Sequence, residues 1–278
     1  MKDGRELKKE LLERKLIFDG AFGTYYSNRF DTDLLPEYAN LNNPQQVKTI
    51  HGEYLEAGAD ILRTNTYASN TVSLGVSFDE VAENVRNAYA LAAEAVEHSG
   101  REAYVAADIG PIPYDDMEER QQAVEEYRML ARTFLEAGAT LFVFETFPSM
   151  EDLMPALEEI GDRAFVILQF AVNQFGYGNA GLGARRLLEN AAACPYIDGV
   201  GLNCGVGPGH MQKILLEAAP QTDKFLTALP NAGYPQKLSG RMQFSNENLD
   251  YFAEKVCRMG EEVADLVGGC CGTTPEYI

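Results

Sequence analysis

Residues 136–146 read Glu136-Ala137-Gly138-Ala139-Thr140-Leu141-Phe142-Val143-Phe144-Glu145-Thr146: a helix stopped at glycine, a short connection, and an apolar run that ends on a carboxylate. The same stop, Glu56-Ala57-Gly58-Ala59-Asp60, precedes the run at 61–66, so one helix-to-strand joint is used twice. Working outward, short strand-like apolar runs alternate with longer segments of helical period along the whole chain. Strands are expected at 16–19, 61–66, 103–108, 141–146, 165–172, 199–204, 225–230 and 263–268. Helices are expected at 46–57, 79–98, 117–137, 150–160, 184–193, 210–218 and 246–259, several opened by Asn, Asp or Ser and closed by Gly. Eight consecutive units without a linker or a composition break predict an α/β fold. The expectation is one (β/α)8 TIM barrel, a single domain over residues 1–278, in preference to an open doubly wound sheet. Residues 269–278 are too few to supply the helix that should cover the last strand.

Composition narrows the function classes. Hydrophobic residues make up 46% of the 278 and charged residues 23%, which is enough apolar material for a large core and argues against disorder. No apolar run approaches the ~20 residues that cross a bilayer. Residues 1–14 lack the apolar segment of a secretory signal, so a cytoplasmic location is expected. Lys and Arg number 23 against 42 Asp and Glu, a net charge of −19 that repels phosphate backbones, so neither nucleic acid nor membrane is an expected partner.

In a barrel of this kind the chemistry sits at the C-terminal ends of the strands. Cys204 ends the sixth strand in Gly201-Leu202-Asn203-Cys204-Gly205, and Cys270-Cys271 follow the eighth in Gly268-Gly269-Cys270-Cys271-Gly272. All three thiols therefore belong to one rim, and the flanking glycines free the backbone to turn adjacent sulfurs toward one point. Three protein ligands with a fourth position open are the pattern of a catalytic zinc ion, and soft thiolates select zinc over magnesium or calcium. Buried thiols without metal, or a strained vicinal disulfide between Cys270 and Cys271, are the alternatives. Cys194 and Cys257 show no such convergence and are expected to be packing residues.

These segments, together with Asp19-Gly20-Ala21-Phe22-Gly23-Thr24, Thr64-Asn65-Thr66-Tyr67, Phe144-Glu145-Thr146, Pro230-Asn231-Ala232-Gly233 and the continuation Thr273-Thr274-Pro275, resemble the zinc-dependent homocysteine S-methyltransferases over essentially the whole chain. That family includes the homocysteine-binding module of cobalamin-dependent methionine synthase and betaine–homocysteine methyltransferase. The resemblance implies a (β/α)8 barrel with Zn2+ on Cys204, Cys270 and Cys271, acting on the thiol of L-homocysteine to give methionine. Zinc held by three thiolates ionises a bound thiol yet leaves it electron-rich enough to attack a methyl group. The substrate ammonium is assigned to Asp19 and Glu145, and its carboxylate to the backbone N–H groups of residues 20–24, Gly20 and Ala21 among them. Asn65 is a further substrate-binding candidate, the role of Asn203 stays open, and the amide oxygen of Asn231 would fill the fourth zinc position before homocysteine arrives.

The stretch Pro230-Asn231-Ala232-Gly233-Tyr234-Pro235 is similar to the methionine-synthase type, or to the type fused to methylenetetrahydrofolate reductase. The implied methyl donor is methylcobalamin or methyltetrahydrofolate, presented by a cobalamin or folate domain elsewhere, and the chain is then an N-terminal module of a longer protein. The alternatives are a donor such as S-methylmethionine or betaine, a non-catalytic zinc-binding module on the same barrel, and a cysteine redox protein, which would want Cys-x-x-Cys. Gly176-Tyr177-Gly178-Asn179-Ala180-Gly181 has the spacing of a dinucleotide fingerprint but follows the fifth strand, not the first, and lacks an acidic residue ending the next. His51, His98 and His210 lie on or beside expected helices and are not candidate bases or ligands.

Overall fold

The computed structural model describes residues 1–238, 241–245 and 248–278, with 235–238, 241–243 and 245 in backbone only. Strands β1 (Leu16–Ile17), β2 (Ile61–Arg63), β3 (Tyr104–Ile109), β4 (Leu141–Phe147), β5 (Phe165–Phe170), β6 (Gly199–Asn203) and β7 (Phe225–Leu229) come in chain order, then a hairpin of β8 (Tyr234–Leu238) and β9 (Arg241–Ser245), then β10 (Leu266–Val267). Eight of them form one parallel sheet in the order β1-β10-β7-β6-β5-β4-β3-β2. A bridge between Phe18 and Ile61 joins its two ends, with Asp60 N donating to Ile17 O at 2.8 Å and Asp19 N to Ile61 O at 2.9 Å. The result is the nearly closed (β/α)8 barrel expected, ringed by helices Pro44–Ala57, Phe78–Ser99, Met117–Glu136, Met154–Ile160, Ala184–Ala192, Pro208–Ala218 and Leu249–Glu262.

Local chemistry accounts for the boundaries. Ser77 and Glu80 form a capping box at the start of Phe78–Ser99, and Gly100 ends it at φ +69. The segment expected at 150–160 divides into a 3-10 turn, Glu151–Leu153, and a helix with Pro155 in its first turn, where proline's missing N–H costs nothing. The strand expected from 263 begins only at Leu266, because Val263 and Ala264 still donate to Met259 O and finish the preceding helix. Residue 246, where that helix was expected to start, lies outside the described residues; Asn248 caps it by accepting from Tyr251 N at 2.9 Å. The β8–β9 hairpin has no counterpart among the expected elements. Cys257 is exposed on the last helix, contrary to a packing role, whereas Cys194 is buried.

Period two along the strands divides the core. Leu62, Val105, Ala107, Phe142, Phe144, Val166 and Leu168 face outward to the helices. Ile61, Tyr104, Ala106, Leu141, Val143, Phe165 and Ile167 face inward, packed with Leu7 and Leu11 of the N-terminal helix Leu7–Leu11, which plugs the barrel's lower end. The same alternation carries Arg63, Asp108, Glu145 and Gln169 inward at the upper end, so an apolar floor supports a polar throat. Gln169 Nε2 donates to Thr227 Oγ1 at 2.8 Å within that throat.

Candidate active site

A cavity of about 600 Å³ opens at the C-terminal ends of the strands, reaching Asp19, Arg63, Asp108, Glu145, Cys204, Cys270 and Cys271. The end of β7, which lies between β6 and β10 in the sheet, assembles the thiols. Cys204 N donates to Leu229 O at 3.0 Å, Cys270 N to Pro230 O at 2.8 Å, and Ala232 N to Cys271 O at 3.0 Å. Cys204 itself is held left-handed at φ 56, followed by Gly205 at φ 74, where a Cβ would lie 2.2 Å from Val172 O. This turn swings the Cys204 sulfur to 3.7 Å from that of Cys271, and the three sulfurs lie within 4.8 Å of one another.

Three thiols so close do not ionise independently. The Cys204 thiolate is stabilised by the neighbouring thiols of Cys270 and Cys271, which hold its pKa down at about 3, and that negative charge pushes Cys271 up to about 12 and raises Cys270 as well. A cation between them removes this conflict. Asn231 reaches Cys204, and its buried Oδ1 has no hydrogen-bond partner among the described residues. Three soft sulfurs and an orphaned oxygen fit a four-coordinate ion of the zinc class.

Beside the thiols, Arg63 organises the carboxylates. Its backbone N donates to Asp19 Oδ2 at 2.9 Å, Nε to Asp19 Oδ1 at 2.8 Å and Nη1 to Glu145 Oε2 at 2.7 Å. Nη2 donates to Gly20 O at 2.7 Å and to Gly269 O at 2.9 Å, so the guanidinium also fixes the segment that carries Cys270. Burial nevertheless pushes the Asp19 carboxyl up to about 6. Asn203 Nδ2 donates to Glu145 Oε2 at 2.9 Å and to Thr146 Oγ1 at 2.8 Å, while its Oδ1 accepts from Thr146 N at 2.8 Å. That clamp holds Thr146 at φ 68, a conformation a β-branched residue adopts only under constraint.

Residues 16–278 match the family model described as homocysteine S-methyltransferase. The chain belongs to that family. It is 28% identical over 299 residues to a methionine synthase of Mycobacterium leprae, covering 98% of this chain and 24% of the relative. It is 27% identical over 301 residues to homocysteine S-methyltransferase 1 of Arabidopsis thaliana, covering 94% of this chain and 90% of the relative. The fold agrees with that of the homocysteine methyltransferase MmuM from Escherichia coli in its metallated form, at a TM-score of 0.75 and 21% identity over 97% of this chain and 96% of that one.

In this homocysteine S-methyltransferase family member, the structure brings together Cys204, Cys270, Cys271, Asp19, Glu145 and Asn231, as the sequence led one to expect. Ala21 departs from that expectation: its N–H donates to Thr273 Oγ1 at 3.1 Å and is spent, while Gly23 and Thr24, which open helix Gly23–Phe30, line the cavity. Asn65 lines the cavity, and its Nδ2 donates to Pro36 O at 2.8 Å and Asn40 Oδ1 at 2.9 Å, which braces a loop. The Gly176–Gly181 spacing forms no phosphate cradle, since the N–H groups of Gly176, Gly178 and Gly181 donate to Asn173 O, Leu182 O and Gly178 O within the loop itself. Arg63 and Asp108 were not singled out from the sequence. The signal was available in both cases: a charged residue at an inward position of an otherwise apolar barrel strand.

Proposed function

We propose that this chain binds L-homocysteine and supports transfer of a methyl group to its thiol, giving methionine. The observation that carries this reading is the convergence of three thiols within 4.8 Å at the edge of a carboxylate-lined cavity. Cys204, Cys270 and Cys271 are the ligands of a zinc ion, with Asn231 as the oxygen donor before substrate arrives. Zinc, when bound, supplies the Lewis acidity that ionises a substrate thiol near neutral pH. Glu145 receives the ammonium, and the amides at the start of helix Gly23–Phe30 receive the carboxylate, an anion at the positive end of a helix. Asn203 and Arg63 hold Glu145 in place. Five free cysteines suit a reducing compartment, in keeping with a cytoplasmic location; among the described residues no helix is long and apolar enough to cross a membrane.

The methyl donor in this reading is methylcobalamin or methyltetrahydrofolate carried by a partner domain or protein. Support comes from the methionine synthase relative, of whose length this chain matches 24%. A small-molecule donor is the second reading, favoured by the plant relative, of which the chain covers 90%. Zinc content and calorimetric titration with L-homocysteine, in buffers of different ionisation enthalpy, test the core of the proposal. One zinc per chain and binding accompanied by proton release are expected, both lost in Cys271→Ala. Zinc without homocysteine binding would leave a non-catalytic zinc module. Methionine formation with methylcobalamin or with S-methylmethionine then identifies the donor.

A further inference from the structure

The turn that presents Cys270 and Cys271 is fastened to distant parts of the chain, and one of the fastenings comes from outside the barrel. Within the turn, Thr273 N donates to Cys270 O at 3.1 Å and Thr273 Oγ1 to the same oxygen at 2.6 Å. Thr24, at the start of helix Gly23–Phe30, accepts from Gly272 N on its Oγ1 at 3.0 Å, and Ala232 N, past the end of β7, donates to Cys271 O. The remaining contact is of another kind. Gly272 turns the chain at φ 80, and a Cβ built there would lie 2.4 Å from Phe244 Cγ and 2.7 Å from its Cβ and Cδ2. The ring of Phe244 therefore rests directly on the glycine Cα, where any side chain would displace it. Phe244 stands on β9 opposite Pro235 of β8, in a hairpin that forms a sheet of its own and is rooted just after Asn231.

We propose that Phe244 is a positioning residue for the metal: pressed on Gly272, it sets the turn that aims the Cys271 sulfur, and through that contact zinc and the β8–β9 hairpin hold each other in order. This assignment rests on the zinc reading above and deepens it. A Zn–S bond of about 2.3 Å tolerates a displacement of only about 0.2 Å, so a turn free to shift further loses its ligand. The hydrogen bonds from Ala232 and to Thr24 fix one carbonyl and one N–H of the turn, but Gly272 has no side chain with which to pack, and Phe244 supplies the missing surface. Coupling of this kind is reciprocal: what the ring contributes to zinc affinity, zinc contributes to the order of the hairpin. The hairpin then meets the metal site twice, at its root through Asn231 and on its return strand through Phe244.

The test uses the full chain, with and without zinc, and two measurements other than activity. In competition with a chelating dye, Phe244→Ala is expected to bind zinc about 10- to 100-fold more weakly than wild type, the range for loss of a group that supports a metal ligand. Phe244→Tyr is expected to restore the affinity, because the near edge of the ring makes the contact. Hydrogen exchange of the amides in Tyr234–Leu238 and Arg241–Ser245 is expected to slow when wild type is saturated with zinc, and to be indifferent to saturating zinc in Phe244→Ala. A ring that merely filled space in the hairpin would leave that zinc response unchanged. Gly272→Ala, whose methyl expels the ring, serves as a second variant if Phe244→Ala fails to fold. Wild-type zinc affinity in the variant, or hairpin exchange in wild type that ignores zinc, overturns the assignment. A wild type that takes up no zinc removes the zinc reading itself, a result distinct from either.

Discussion

Replacing Arg63 with methionine keeps an unbranched chain of similar reach in the throat and deletes the charge. The guanidinium is buried, with 7% of its side chain exposed, and it pairs with Asp19 and Glu145 while capping the carbonyls of Gly20 and Gly269. Removing one partner of a buried ion pair costs about 3–5 kcal/mol, because the remaining charge is left uncompensated. That is a large part of the about 5–15 kcal/mol that holds a domain folded. At about 2–4 °C per kcal/mol, the melting temperature should fall by about 6–20 °C. The pH dependence has a definite sign. Asp19 in the wild type stands at about 6, above its ordinary 3.8, so its contribution to stability is complete below about pH 4 and is lost as pH rises through 6. Without the guanidinium burial acts unopposed, so the stability gap between Arg63→Met and wild type should widen from pH 5 to pH 8. Urea unfolding of both proteins at the two pH values measures it. A gap below about 1 kcal/mol, or one that narrows with rising pH, would refute the view that Arg63 compensates the throat's carboxylates.

Two further outcomes follow from single positions. His51 is fully buried against the ring of Phe22, neither ring nitrogen has a hydrogen-bond partner among the described residues, and burial lowers its pKa to about 3. Stability from keeping it neutral is present above pH 6.5 and lost as pH falls toward 3, which amounts to about 2 kcal/mol at pH 5. His51→Phe should keep that increment between pH 8 and pH 5, and parallel unfolding curves for the two proteins would contradict the account. Gly205→Ala places a methyl 2.2 Å from Val172 O on a backbone at φ 74, next to left-handed Cys204. Zinc affinity should fall at least tenfold in a competition assay with a chelating dye, about 1.4 kcal/mol, and wild-type affinity would show that the turn does not set the sulfur position.

The barrel and its thiols were legible because both write themselves locally. Alternating strand and helix periods need only neighbouring residues, and cysteines at strand ends keep their meaning whatever the loops do. Side-chain commitments are different. Whether Asn65 faces substrate depends on Pro36 and Asn40, and whether the Ala21 amide is free depends on Thr273, more than 200 residues away. Arg63 stands in the middle of the expected strand at 61–66, and Asp108, though it ends the one at 103–108, belongs to none of the segments that carry the resemblance, so attention to strand ends and to those segments passed over them. Their inward parity, set by Ile61 and Tyr104, marks them in retrospect. The hairpin of β8 and β9 stands apart from the main sheet, and its one alternating run, Arg241-Met242-Gln243-Phe244-Ser245, is five residues long and falls between two expected elements without a helix of its own.

The barrel closes between β1 and β2 on a single bridge, and that seam runs through the place where Asp19 and Arg63 meet. Elsewhere around the circumference, ladders of backbone pairs carry the hoop; here the fastening is completed by Arg63 at the end of β2, whose guanidinium grips residues just past β1 and just past β10. The ionic arrangement that shapes the cavity is therefore also its clasp. Any redesign of the pocket that dispenses with the arginine would have to restitch the cylinder at the same point.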